Sequence, residues 1–127
     1  MSRVVVIGDI GGHASQLHWV LRAYGATGTV PPGTVIVQVG DLIDRGPASA
    51  EVLELVDHFV NTQPAQWVQL VGNHEAQYLH PRSQFWPEQL GEAQAAILRR
   101  WWHNHQMHVA AAVRDAQGDE YLVTHAG

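Results

Sequence analysis

Four side chains able to hold a divalent cation recur at matching places in the chain: Asp9, Asp41, Asn73 and His125. Each follows an apolar run and a small residue, as in Val4-Val5-Val6-Ile7-Gly8 before Asp9 and Leu70-Val71-Gly72 before Asn73. Carboxylate, amide and imidazole donors together suit a hard or borderline ion such as manganese, iron or zinc. The densest chemistry surrounds the second of them. Gly40-Asp41-Leu42-Ile43-Asp44-Arg45-Gly46 places two carboxylates and a guanidinium in one tight turn, and charges so close call for a metal ion or a phosphate as counter-charge. If one carboxylate bridges, the set can hold two metals about 3.5–4 Å apart, which would activate a shared water and clamp an in-line displacement at phosphorus. Arg45 would hold the non-attacking phosphate oxygens with its planar fork. His74, beside Asn73, could protonate the leaving oxygen, with Asp44 as the partner that sets its tautomer.

These residues need elements that deliver them to one place. The runs at 3–7, 34–39, 66–71 and 120–123 have the length and β-branched character of strands. Between them, Leu17, Val20, Leu21 and Tyr24 repeat at helical spacing, as do Val52, Leu55, Val56 and Phe59, the latter in a helix expected from Pro47 to about Asn61. This is an α/β pattern, and in an open parallel sheet ligands gather outside the strands' carboxyl ends. The glycines of Gly8-Asp9-Ile10-Gly11-Gly12 would let a ligand approach the backbone closely. A further helix is expected from Pro87 to His103, with Leu90, Gln94, Ile97, Leu98, Trp101 and Trp102 on one face, followed by a hairpin of 107–113 and 119–124. The loop with Arg82, Phe85 and Trp86 either grips substrate at a cleft mouth or packs down.

Composition narrows the classes. A chain of 127 residues makes a single domain, 1–127. Its net charge of -5, with every cation an arginine, argues against a nucleic-acid polymer or an anionic membrane as partner. There is no cysteine, so no thiolate site or disulfide frame exists. A strand begins almost at the first residue and no run reaches membrane-spanning length, so the default expectation is a cytoplasmic protein. Nine histidines are many for this length; His103, His105 and His108 cluster near a helix end, either as a second metal patch or, more simply, as dipole-favoured surface residues.

Taken together, Gly8-Asp9-x-Gly-Gly12, Gly40-Asp41-x-x-Asp44-Arg45-Gly46, Gly72-Asn73-His74-Glu75 and Thr124-His125-Ala126-Gly127 resemble the calcineurin-like metallophosphoesterases. More narrowly they resemble the phosphoprotein-phosphatase branch and its bacterial diadenosine tetraphosphatase relatives. The resemblance implies a β-sandwich flanked by helices, of which this chain is the N-terminal portion. It implies two divalent metals, with Asp9 on the first, Asn73 and His125 on the second, and Asp41 bridging. Arg45 would bind phosphate, and His74 with Asp44 would serve as acid.

Two departures qualify the resemblance. The first motif usually reads Asp-x-His, and here that position is Gly11; His13 is the alternative ligand. The family's further histidine and arginine lie beyond the His-Ala-Gly motif, so a C-terminal segment or a second chain, for which Trp101 and Trp102 offer a docking face, would have to complete the site. The leading expectation is a phosphomonoesterase of the phosphoserine/threonine phosphatase type, working through a metal-bridging hydroxide. Its rivals are a dinucleoside polyphosphate hydrolase and a non-catalytic module that binds a phosphorylated ligand or partner.

Overall fold

The β-branched runs become strands, and the helical periodicities become the crossovers between them. The structure is a computed structural model that describes residues 3–79, 85–87 and 90–125; Arg82 and His80 lie outside them. Strands β1 (Arg3–Ile7), β2 (Thr34–Gln38), β3 (Trp67–Leu70) and β4 (Met107–His108) form one sheet in that order. Every pairing in it is parallel, with Arg3 opposite Thr34, Ile36 opposite Trp67 and Gln69 opposite Met107. Parallel neighbours need a long crossover. These are α1 (Ala14–Ala23), α2 (Ser49–Thr62) and, after the single turn α3 (Asn73–Ala76), α4 (Glu92–His103). Strands β5 (Ala110–Arg114) and β6 (Glu120–Thr124) pair antiparallel as a separate two-stranded sheet.

The core lies between the helices and one face of the sheet. Leu17 and Leu21 of α1, Val52, Leu53, Val56 and Phe59 of α2, and Leu98 and Trp101 of α4 pack there with Val5, Ile36 and Trp67. Phe59 stacks on Trp67 with ring centroids 5.0 Å apart. Burying each such side chain stabilises by about 1.5–3 kcal/mol, which holds the crossovers against the sheet and so the strand ends in a row. The other face is thinly covered. Val4, Val6 and Val39 share a cavity of about 620 Å³ with Tyr121, Leu122 and Val123 of the hairpin. Among the described residues no helix is long and apolar enough to cross a membrane.

Four expectations change. Helix α2 begins at Ser49, because the Ser49 hydroxyl accepts the Asp44 N–H at 2.9 Å and closes the preceding turn, leaving Pro47 outside the helix. Helix α4 begins at Glu92, with Gly91 as its cap, and leaves Leu90 before it. The run from Met107 is divided rather than continuous: Met107 is buried and joins β3, whereas β5 starts at Ala110 and faces the hairpin. Trp101 is wholly buried and donates its indole N–H to Asp57 at 2.8 Å, so it offers nothing to a second chain; Trp102 faces outward.

Candidate metal centre

The turns after β1 and β2 interlock through their backbones. Ile10 and Gly11 both donate to the Asp41 carbonyl, at 3.0 and 2.9 Å, Gly12 donates to Leu42 O at 2.8 Å, and Gly46 donates to Gly11 O at 2.7 Å. Asp41, Asp44 and Arg45 all take positive φ, of 54°, 70° and 62°. That left-handed region is costly outside glycine and tends to be held only where the surroundings enforce it. Gly12 and Gly72 serve this interlock, whereas the space beside Gly8 stays open. A Cβ on Gly12 would stand 2.7 Å from Gly46 O, and one on Gly72 would stand 2.3 Å from Asp41 Oδ1.

At the mouth of these turns Asp9, Asp41 and His125 each present one donor atom, all within 4.8 Å of one another. Asp41 and His125 are shielded, with side chains 4% and 17% exposed, while Asp9 is 46% exposed and opens the cluster to solvent. His125 Nδ1 donates to the Val39 carbonyl at 2.9 Å, so in the neutral ring Nε2 carries the lone pair. That nitrogen lies 3.3 Å from Asp41 Oδ2 and 3.0 Å from the Asn73 side-chain oxygen. Acceptors facing acceptors are stable only with a proton or a cation among them. The Asn73 amide can relieve the crowding by turning its nitrogen inward, donating to His125 Nε2 at 3.0 Å and to the two Asp41 oxygens at 3.0 and 3.2 Å. With its oxygen inward it becomes a fourth ligand. An imidazole whose second nitrogen is committed to a backbone carbonyl is also the usual arrangement of a metal-binding histidine. The residues fit a divalent cation.

His13 stays outside this cluster. Its Nδ1 is turned to the Ile10 carbonyl, at 3.1 Å, although the same atom sits 3.8 Å from where a Cβ at position 11 would be. Its ring therefore borders the space that a histidine at Gly11 would enter. Arg45 is exposed, and among the described residues its guanidinium has no hydrogen-bond or ion-pair partner. His103, His105 and His108 are exposed and do not come together as a metal site: among the described residues, Asp9, Asp41 and His125 form the one group of three metal-capable side chains.

His74 and Asp44 meet as their chemistry suggests, Nδ1 to Oδ2 at 2.6 Å. The carboxylate accepts the Nδ1 proton, which leaves Nε2 as the atom free to give or take another. The pair is buried, the His74 side chain being 2% exposed, and the rings of Phe85 and Trp86 stand edge-on to the imidazole at 5.0 and 5.1 Å. Phe85 and Trp86 thus pack against this pair. His74 also ties the pair to the metal ligands, since its backbone N–H donates to Asp41 Oδ1 at 3.0 Å.

Two residues in the site carried no assigned role in the sequence reading. Glu75 is fully buried and gathers three backbone N–H groups, from Asp41 at 2.6 Å, Gly72 at 2.9 Å and Leu42 at 3.0 Å. Burial pushes its carboxyl up to about 7, and the Asp41 charge adds to the rise, while the three amide donors pull it down. It staples the second turn to the third. Gln77 donates to Asp44 Oδ2 at 2.8 Å and accepts from the backbones of Phe85 and Trp86 at 3.2 and 3.1 Å, linking those two residues to the His74–Asp44 pair. The signal for Glu75 was its place in the Gly72-Asn73-His74-Glu75 motif, which gave it no role; for Gln77 there was none.

A parallel sheet with carboxylates, an amide and an imidazole converging at its strand ends, beside a buried histidine–aspartate pair, is an α/β scaffold carrying a candidate divalent-metal site. The calcineurin-like phosphoesterase family model matches residues 2–127, and the chain belongs to that family. It is similar to the asymmetrical bis(5'-nucleosyl)-tetraphosphatase PrpE of Halalkalibacterium halodurans, 38% identical over 74 residues that cover 54% of this chain and 29% of that protein. The catalytic subunit of serine/threonine-protein phosphatase 6 from Caenorhabditis elegans is 32% identical over 101 residues, 80% of this chain and 29% of its own. Among solved structures, a candidate diadenosine tetraphosphatase superposes with a TM-score of 0.50 at 28% identity, covering 75% of this chain and 40% of that one. The chain thus spans 29% of the length of both curated relatives.

Proposed function

We propose that this protein is a metal-dependent phosphoesterase acting on phosphomonoesters, with phosphoserine and phosphothreonine in proteins as its substrate class. The observation that carries the reading is the convergence of Asp9, Asp41 and His125 within 4.8 Å, beside the buried His74–Asp44 pair. Asp9, Asp41, Asn73 and His125 would hold the divalent ions, manganese in this proposal, with His13 bordering the first position. Bound there, the ions would supply an activated water and neutralise phosphate charge. The chain's own groups do the rest. Arg45, exposed and without a partner among the described residues, holds the phosphate oxygens. His74 gives a proton to the leaving oxygen, and Asp44 keeps its ring oriented and stabilises the imidazolium. A pure binding module has no evident need of that pair.

The 80% coverage by a serine/threonine phosphatase supports the phosphomonoester reading. The 38% identity to a bis(5'-nucleosyl)-tetraphosphatase supports a second reading, cleavage of a dinucleoside polyphosphate. Initial rates of the manganese-supplemented protein on a phosphothreonine peptide, diadenosine tetraphosphate and an aryl phosphate decide between them. A preference for the peptide is expected. If neither physiological substrate is cleaved faster than the aryl phosphate, both readings fail. Arg45→Ala should lower turnover with manganese binding intact; loss of ligand binding in a protein that never turns over would favour the non-catalytic module.

A further inference from the structure

Two glutamines, Gln38 and Gln69, sit on adjacent strands of the parallel sheet, and neither has any exposure. Strands covered on both faces are ordinarily apolar, and a buried amide is costly unless each of its donors and acceptors is matched. Here they are matched in a line. Trp67 Nε1 donates to Gln69 Oε1 at 3.0 Å. Gln69 Nε2 donates to Gln38 Oε1 and to the Leu70 carbonyl. Gln38 Nε2 donates to the carbonyls of Gly8 at 3.0 Å and Gly40 at 2.9 Å, and Gly40 returns its N–H to Gln38 Oε1 at 2.8 Å.

The direction of this line follows from its first member. An indole N–H can only donate, so Gln69 must turn its oxygen to Trp67 and its nitrogen to Gln38. Gln38 then turns its oxygen to Gln69 and its nitrogen to the two glycine carbonyls. Those glycines immediately precede Asp9 and Asp41. The backbone ladder between β1 and β2 ends where Val39 N–H donates to Ile7 O at 3.0 Å, and backbone bonding resumes only at Ile10 and Asp41. In the gap, where Gly40 leaves the strand conformation at φ +99°, the Gln38 side chain joins Gly8 to Gly40.

We infer that Gln38 is a positioning residue for the metal centre. It sets the spacing of Asp9 and Asp41 by bridging the residues before them, and Trp67 and Gln69 hold its amide in the orientation that does so. The inference rests on the metal-centre reading above. Its test is calorimetric titration of the metal-free protein with Mn²⁺, for wild type, Gln38→Met and Leu53→Ala, with urea denaturation of each. Leu53 is buried in the helix layer and serves as the control for general loosening. Gln38→Met should bind Mn²⁺ about 10–100-fold more weakly, as outer-shell losses do, and Leu53→Ala as wild type. Wild-type affinity in Gln38→Met overturns the inference, and so does an equal loss in Leu53→Ala at equal stability. Should Gln38→Met not fold, Gln69→Met takes its place, with weaker binding expected and wild-type affinity overturning. A wild type that binds no Mn²⁺ overturns the metal-centre reading itself, and this inference with it.

Discussion

The two regions that supply the candidate ligands are built very differently. Asp41 stands in a turn locked to its neighbours by backbone hydrogen bonds, stapled by Glu75 and floored by Leu42 and Ile43, both wholly buried. His125 arrives at the end of β6, a hairpin strand on which Tyr121 is exposed and Leu122 is 73% exposed. Its ring reaches the sheet through one backbone bond, to Val39. The contrast teaches that one half of the candidate centre is held by the packing of the fold itself, whereas the other has little packing to order it. Regions with few buried contacts open at small free-energy cost, and a ligand that binds only the ordered form stabilises it by mass action.

The most severe way to break the comparison is Asp41→Asn, which removes the charge shared by the whole cluster. It should abolish Mn²⁺ binding in calorimetry, whereas His125→Ala should leave weakened binding; equal effects would mean that the turn is not the dominant half. Next, His74→Asn should lower kcat about 10²–10⁴-fold, the range of general acid catalysis, with Mn²⁺ affinity preserved. The loss should shrink for an aryl phosphate whose leaving group needs no proton, and an undiminished loss would remove His74 from the acid role. Gly12→Ala drives a Cβ to within 2.7 Å of Gly46 O at a positive φ, and should cost about 1–3 kcal/mol in urea denaturation. Saturating Mn²⁺ should slow amide exchange in β6 and scarcely change it in β2, which is already buried. The smallest effect belongs to Leu122→Ser, expected within about 0.5 kcal/mol of wild type without metal. A larger cost would show the hairpin to be better packed than its exposure indicates.

Much of the scaffold was legible in local pattern. The β-branched runs became β1, β2 and β3, and Leu17, Leu21, Val52, Val56 and Phe59 went inward as their spacing requires. The pairing of His74 with Asp44 was legible from chemistry, since a buried imidazole and a carboxylate in one site seek each other. Where the chain left its expected pattern, a turn or a change of sheet decided. Ser49 shortened α2 by accepting from Asp44, and Val109 became a break because Met107 and Ala110 belong to different sheets.

The sequence by itself determined most of the strands and helices, and that four of the strands lead into the metal-capable Asp9, Asp41, Asn73 and His125. Apolar periodicity and strand-end glycines act over a few residues, so they can be read without the fold. Only the tertiary structure decided that Gly12 and Gly72 serve loop interlock, that Glu75 staples two turns and that two buried glutamines bridge the roots of Asp9 and Asp41. Each of these depends on which backbone N–H and C=O groups remain unmatched after distant strands are brought side by side. A local pattern of side chains carries no record of that, because the partner of a buried polar group is chosen by geometry and not by neighbourhood in the chain.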